Sequence, residues 1–373
     1  MTRTSASSSR VLPRREQLGA WFLLTGTALS GLGLVWDVQW HSDVGPDTFF
    51  TAPHLVMYLG GALSGITSLI VVLLGTRAAQ RPQYVDGAPA LTVLGTFRAP
   101  LPFLVCGTAG AIGLLYGLTD LWWHEVFGFD VTPTSPPHVA MALMSLFDTF
   151  GLVMAFVMLR SSQAGRIGLI CSAAVALPNL LFLSYSTPPI RGINMFVLAL
   201  VAFGVLLVTA VAGALRRPSA VAWIALSTSA VTAVMWYFGP VATNVYADAL
   251  GLGMRDYAAG YPAMAITMPF ALPVAALVLA VGFRYAAARN YRPQVVLPAL
   301  GAAAGVLVAL GYVLIPVLDT PPATLAPAAL VGALAAWIGW QLGSLGREIS
   351  ADVTLPSGTS APQPTPHLLG TEV

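Results

Sequence analysis

The sequence predicts an all-α integral membrane protein of about ten transmembrane helices, and three observations carry that prediction. Of the 373 residues, 57% are hydrophobic and only 9% are charged, where a soluble domain carries about 25% charged residues. Apolar runs of about 20 residues, long enough to cross the hydrocarbon core of a bilayer, recur along the chain. Arginines alternate with those runs in the way that basic residues flank membrane spans on the cytoplasmic side. A mean hydropathy of +0.78 agrees with all three.

Residues 1–16 are polar and rich in Ser and Arg, and are expected to form a disordered cytoplasmic N-terminus. The apolar run Leu18–Trp36 follows without a convincing small-residue cleavage site, so it reads as an uncleaved first span. Further runs of spanning length are His54–Gly75, Ala99–Leu121, His138–Met158, Gly165–Ser184, Ile193–Leu215, Ala220–Phe238, Ala263–Phe283, Val295–Leu318 and Leu325–Leu345. From residue 349 to residue 373 the chain is rich in Pro, Ser and Thr without apolar periodicity, which predicts a disordered cytoplasmic tail. The resulting organisation is a four-helix unit over 17–160, six further spans over 161–348, and the two polar ends.

All 17 basic residues are Arg. With ten spans and both ends inside, only Arg191 and Arg255 fall outside, the bias expected of a multi-pass protein of a bacterial cell membrane. A net charge of +2 without a basic patch excludes a nucleic-acid partner. The expected partners are the lipid bilayer and either further membrane subunits or a second copy of the chain. Cys106 and Cys171 stand in separate apolar stretches without a CxxC pattern and read as small core residues.

Two copies of one ligand pattern organise the first four spans. Asp37, His41 and His54 follow Asp-x3-His-x12-His, and Asp120, His124 and His138 follow Asp-x3-His-x13-His. The i, i+4 pair stacks a carboxylate and an imidazole on one helix face, and the closing histidine opens the next helix. The triplets hold four of the five histidines; the fifth, His367, lies in the polar tail. An offset of 83 residues relates them, so spans one and two repeat as spans three and four in the same orientation, and the arginine bias puts both triplets at the outer face. A degenerate third copy is expected at spans seven and eight, where Met235-Trp236-Tyr237 would end one helix and Tyr261-Pro262 open the next.

Each closing histidine follows a proline, in Thr51-Ala52-Pro53-His54 and Ser135-Pro136-Pro137-His138, with Thr51 and Ser135 as N-cap candidates. Two imidazoles and a carboxylate suit copper, zinc, iron or nickel and leave coordination positions open. The plain alternative is a set of interfacial polar residues beside an aromatic belt of Trp36, Trp40, Trp122 and Trp123. Four of five histidines at matched spacing favour the metal. Asp43, Asp47, Glu125 and Asp130 are either supports for the imidazole N–H groups or, more simply, solvated loop charges. Asp148 lies mid-span, where a carboxylate is costly, and reads either as a relay for protons or metal or as a protonated acid bonded to a neighbouring helix.

These residues resemble the C subunit of particulate methane monooxygenase and of ammonia monooxygenase, which carries Asp-x3-His-x12-His for one copper site and Asn-x3-His-x13-His for a neighbouring one. The resemblance covers roughly residues 30–160, including the run Asp47-Thr48-Phe49-Phe50-Thr51-Ala52-Pro53-His54, and Asp120 stands where the family has asparagine. It implies copper as the metal, with zinc or iron as substitutes, and a component of a copper-dependent monooxygenase acting on a small apolar substrate. It also implies that a neutral amide is tolerated at position 120 but not at position 37. Two other functions fit the same residues. One is copper acquisition or transport, for which Met141, Met144, Met154 and Met158 offer soft ligands along span four; the other is a non-catalytic subunit braced by metal.

Overall fold

The computed structural model describes residues 10–45, 47–81, 87–128, 134–185, 189–258, 260–264, 271–315, 319–350 and 353–354. Among them run the helices α1 (Arg14–Asp43), α2 (Ala52–Ala79), α3 (Leu101–Phe127), α4 (Pro136–Met158), α5 (Gln163–Tyr185), α6 (Met195–Leu215), α7 (Pro218–Leu250), α8 (Leu272–Ala288), α9 (Pro293–Leu314) and α10 (Leu325–Ile349). Eight of them, α1 to α4, α6, α7, α9 and α10, are long and apolar enough to cross a membrane. The other two contribute the shorter apolar stretches Gln163–Leu177 and Leu272–Ala288. Leu59, Ile66, Leu114, Leu118 and Leu330 are each more than half exposed, as side chains that face hydrocarbon would be.

Helix α1 begins before the expected boundary at residue 17 because its polar start is used rather than solvated. Pro13 holds the N-cap position with φ −63°. The buried Glu16 carboxylate accepts the Ala88 N–H at 2.9 Å, and the Gln17 amide donates to the Leu12 carbonyl at 2.8 Å. Just ahead of it, β1 (Arg10–Val11) pairs in parallel with β4 (Val353–Thr354). Residues 1–9 and 355–373, which include His367, lie outside the described residues.

Other differences from the sequence reading have local causes. Helix α7 runs through Pro240 to Leu250 instead of stopping near Phe238, with the Asn244 amide donating to the Pro240 carbonyl at 2.8 Å. Met235-Trp236-Tyr237 therefore lies inside a helix and does not end one. Helix α8 is described from Leu272; Ala263, expected to begin it, lies in a turn whose N–H is held by Gln39 of α1, and residues 265–270 lie outside the described residues. Between α2 and α3 the chain forms an antiparallel hairpin, β2 (Ala90–Val93) with β3 (Phe97–Pro100), docked where the Arg98 N–H donates to the Thr76 hydroxyl at 2.9 Å.

Sequence neighbours α1 and α2 pack as one pair, and α3 and α4 as another. Small residues permit the approach. A Cβ on Gly33 would lie 2.6 Å from the Met57 nitrogen and 3.0 Å from the Pro53 carbonyl, so glycine there lets the end of α1 rest against the first turn of α2. Gly151 of α4 plays the same part against α3, where a Cβ would lie 2.9 Å from the Pro102 carbonyl. The main core is elsewhere, around α6, whose Val197, Val201 and Val208 are buried where α6 packs against α5, α7, α9 and α10.

Candidate metal centres

Each triplet closes at the junction of two packed helices. In the first centre Asp37 and His41 come from the last turns of α1, His54 comes from the first turn of α2, and Asp47 from the loop between them joins the group. Nε2 of His54 stands 3.0 Å from Oδ1 of Asp37 and 3.3 Å from Oδ2 of Asp47, and Nε2 of His41 stands 3.6 Å from each of the same oxygens. In the second centre Nε2 of His124 lies 3.4 Å from Oδ2 of Asp120, and Nε2 of His138 lies 3.4 Å from Oδ1. Within each group one ligand atom per residue lies within 4.8 Å of all the others.

The spacing has the scale of a coordination shell. A tetrahedron with metal–ligand bonds of about 2.1 Å has edges of about 3.4 Å. The donor separations in both centres scatter around that value. The six residues expected as ligands are therefore brought together three and three.

Local folding fixes the histidine tautomers. The Nδ1–H of His54 donates to the Thr48 carbonyl at 3.0 Å, and the Nδ1–H of His124 to the Gly128 carbonyl at 3.2 Å. A carbonyl only accepts, so Nδ1 carries the proton, and in the neutral ring Nε2 presents a lone pair. That lone pair faces carboxylate oxygens, an arrangement of acceptor against acceptor that needs a proton or a metal ion between them. A metal ion meets that need, and an imidazole held by its other nitrogen is the usual form of a metal-ligating histidine.

The turns that hold these carbonyls differ. Thr51 was expected to cap α2 but makes no side-chain cap; its hydroxyl donates to the Thr48 carbonyl at 2.7 Å and accepts the Thr48 N–H at 2.8 Å, folding the 48–51 turn onto the centre. Ser135 does cap α4, accepting the His138 N–H at 3.3 Å. Gly128, at φ +91°, turns the chain so that its carbonyl points back to His124.

The supporting residues sort themselves out by burial. Asp47, read from sequence as either a support for an imidazole N–H or a solvated loop charge, has a side chain only 1% exposed and belongs to the first group. Asp43 is also buried, accepting a hydrogen bond of 2.5 Å from Gln39, whereas Glu125 is exposed and Asp130 lies outside the described residues. Trp40 is 2% exposed and packs on Tyr246 rather than serving as an interfacial anchor; Trp122, 54% exposed, fits the belt.

Three residues that the sequence reading did not connect to the site hold it in place. Gln39, buried in α1, donates to the Tyr261 carbonyl at 2.9 Å and accepts the Ala263 N–H at 2.7 Å. Arg255 donates from its backbone to the Asp43 carbonyl at 2.7 Å and from its guanidinium to the His41 carbonyl at 2.8 Å. The loop after α7 thus grips the last turn of α1. Tyr58, one turn after His54 with ring centroids 6.1 Å apart, has its phenol within electrostatic reach of Asp120 as well as of Asp37 and Asp47.

Asp148 is not part of either group. It lies roughly 15 Å along α4 from His138, at a rise of about 1.5 Å per residue. Its Oδ2 is 2.9 Å from the Thr27 hydroxyl of α1, whose single proton is shared with the Leu23 carbonyl at 3.0 Å, and the Cys106 thiol donates to the Asp148 carbonyl at 3.4 Å. Cys106 and Cys171 are free thiols, the first buried and the second half-buried. No protein-family model, curated protein or solved structure matches this chain.

Proposed function

We propose that the chain is a multi-pass membrane copper protein of a bacterial cell membrane and a component of a copper-dependent monooxygenase acting on a small apolar substrate. The observation that carries this reading is the pair of His–Asp centres, each assembled at a junction of two apolar helices with matched ligand order. The resemblance of Asp37, His41, His54, Asp120, His124 and His138 to the C subunit of particulate methane and ammonia monooxygenases supplies the metal and the reaction class. The full arrangement in this reading has ten spans, the first four a tandem repeat, both ends in the cytoplasm and the two centres at the outer face.

His41 and His54 hold one ion with Asp37, and His124 and His138 hold the other with Asp120. Copper bound at the second centre, whose three protein donors among the described residues leave a position open, would supply activation of dioxygen near the membrane surface. The protein's own part is to neutralise the ion with carboxylates and fix each imidazole through its Nδ1–H. The exposed apolar flanks of α2 and α3 admit a small hydrocarbon-like molecule from lipid. Asp148, bonded to Thr27, is placed to hold a proton within the helix layer below the centres.

The test is to purify the chain in nanodiscs, load it with copper, and follow dioxygen uptake with a small alkane and with ammonia in the presence of a reductant. Substrate-dependent uptake that is lost in His138→Ala supports the reading. Copper binding without uptake, together with copper movement into sealed vesicles, replaces it with the transport function.

A further inference from the structure

We infer that Asp47 is a fourth protein ligand that completes the first centre as a closed, dianionic site selecting a divalent over a monovalent ion; this rests on the metal reading of the two centres. Asp47 comes from the loop between α1 and α2, so no shared helix face joins it to the other ligands. Its carboxylate is nevertheless buried to 1% exposure, with Oδ2 at 3.3 Å from His54 Nε2 and 3.6 Å from His41 Nε2.

Three lines converge on a ligand role. The four contacts that link His41 and His54 to Asp37 and Asp47, from 3.0 to 3.6 Å, scatter around the edge of about 3.4 Å that a tetrahedron with bonds of about 2.1 Å has, and all four donor atoms lie within 4.8 Å of one another. The turn that carries Asp47 is built for the purpose, because the Thr48 carbonyl that fixes His54 and the Thr48 N–H bound by Thr51 follow it directly in the chain. Burying a second carboxylate beside Asp37 is costly unless a cation neutralises the pair. The hydrogen-bonded loop therefore has a reason to place it there.

The charge decides the ion. Two neutral imidazoles and two carboxylates carry a charge that a divalent ion cancels and a monovalent ion does not. Carboxylate oxygen is a hard donor, whereas Cu(I) prefers thiolate and thioether. Four protein donors also fill a tetrahedral shell, which is the pattern of centres that retain their ion rather than exchange ligands on it. The class of ion is thus Zn(II), Cu(II) or Co(II), with no corner left for an external molecule.

The experiment uses the full chain carrying His124→Ala and His138→Ala, so that the first centre is read alone, with and without Asp47→Asn. Competition with chelators gives its affinity for Zn(II) and for Cu(I). The expected result is a loss of at least about 10-fold for Zn(II) on Asp47→Asn and a change of less than about 3-fold for Cu(I), in line with the 10–100-fold effects of disturbing a ligand's surroundings. With Co(II) as a spectroscopic probe, azide should leave the visible spectrum unchanged while Asp47 is present and shift it in Asp47→Ala. Equal losses for Zn(II) and Cu(I), no loss at all, or an azide shift with Asp47 intact would overturn the inference. Should the double alanine variant not fold, Asp47→Asn in the otherwise native chain reads the same point by chelator competition, since one of the two zinc sites should weaken by at least about 10-fold while the other keeps its affinity. Two zinc affinities both unchanged by Asp47→Asn reject the role of Asp47 alone; a native chain that binds no zinc rejects the metal reading and this inference with it.

Discussion

Nε2 of His54 lies 3.0 Å from Oδ1 of Asp37, while the Nδ1–H of the same ring is committed to the Thr48 carbonyl. The ring can therefore meet the carboxylate only through a proton or a metal ion. Acid should expel the ion because protons compete for the histidine nitrogens. Metal retained in buffers stepped downward from pH 7 should be released by about pH 5, on either side of the ordinary imidazole range. Retention unchanged across that span would mean that histidine nitrogens are not the ligands.

Gly33 sits one turn before Asp37, and a side chain there would collide with the first turn of α2 near Pro53 and Met57. Gly33→Ala should push the α1 end away from His54 and lower metal occupancy at the first centre while sparing the second. Chelator competition on Gly33→Ala combined with a disabled second centre checks it. Loss at both centres would show that the helix pairs do not move independently.

Gln39 joins α1 to the loop after α7 through bonds to Tyr261 and Ala263 and also reaches Asp43. Gln39→Leu strands those buried groups, which should cost about 1–3 kcal/mol. Protease sensitivity of the 253–264 loop should rise, and the first centre should lose its ion faster than the second. Equal loss rates from the two centres would leave the loop without a role at the site.

The asparagine of the monooxygenase subunits that these ligands resemble implies that Asp120→Asn is tolerated, and the geometry implies the opposite. Asp120 is the one carboxylate in the second group among the described residues, and it turns one oxygen to each histidine. Asp120→Asn should therefore weaken the second centre by at least about 10-fold. An unchanged affinity would place this centre with the asparagine type.

Topology is tested by labelling. Phe50 and Thr134 are exposed in the loops before the two closing histidines, and Ser219 is exposed at the start of α7. In the proposed orientation, cysteines at Phe50 and Thr134 react with an impermeant thiol reagent in intact cells, and one at Ser219 does not. Ser135 is unsuited to such labelling because it is buried as the α4 cap.

The ligand triplets were legible because their information is local. An Asp and a His at i, i+4 share a helix face whatever the fold, and a proline before a histidine marks a helix entrance. The helical character of the chain was legible for the same reason, since apolar length needs no partner. Asp47 was not: beside Gly45 and Pro46 it has the composition of a solvated turn, and only the Thr48–Thr51 hydrogen bonds fold it inward. Gln39 and Arg255 act across more than 200 residues of sequence, beyond any local pattern. Tyr58 did carry a signal, its i, i+4 relation to His54, which an apolar run concealed.

The central claim is that both groups hold metal, and metal content tests it most directly. Protein purified from membranes without chelator should carry about two transition-metal ions per chain by elemental analysis, copper first, matching the two groups. His41→Ala with His54→Ala should remove one, and His124→Ala with His138→Ala the other. Less than about half an equivalent in the native chain, in buffers that leave the ligands deprotonated, would contradict the account.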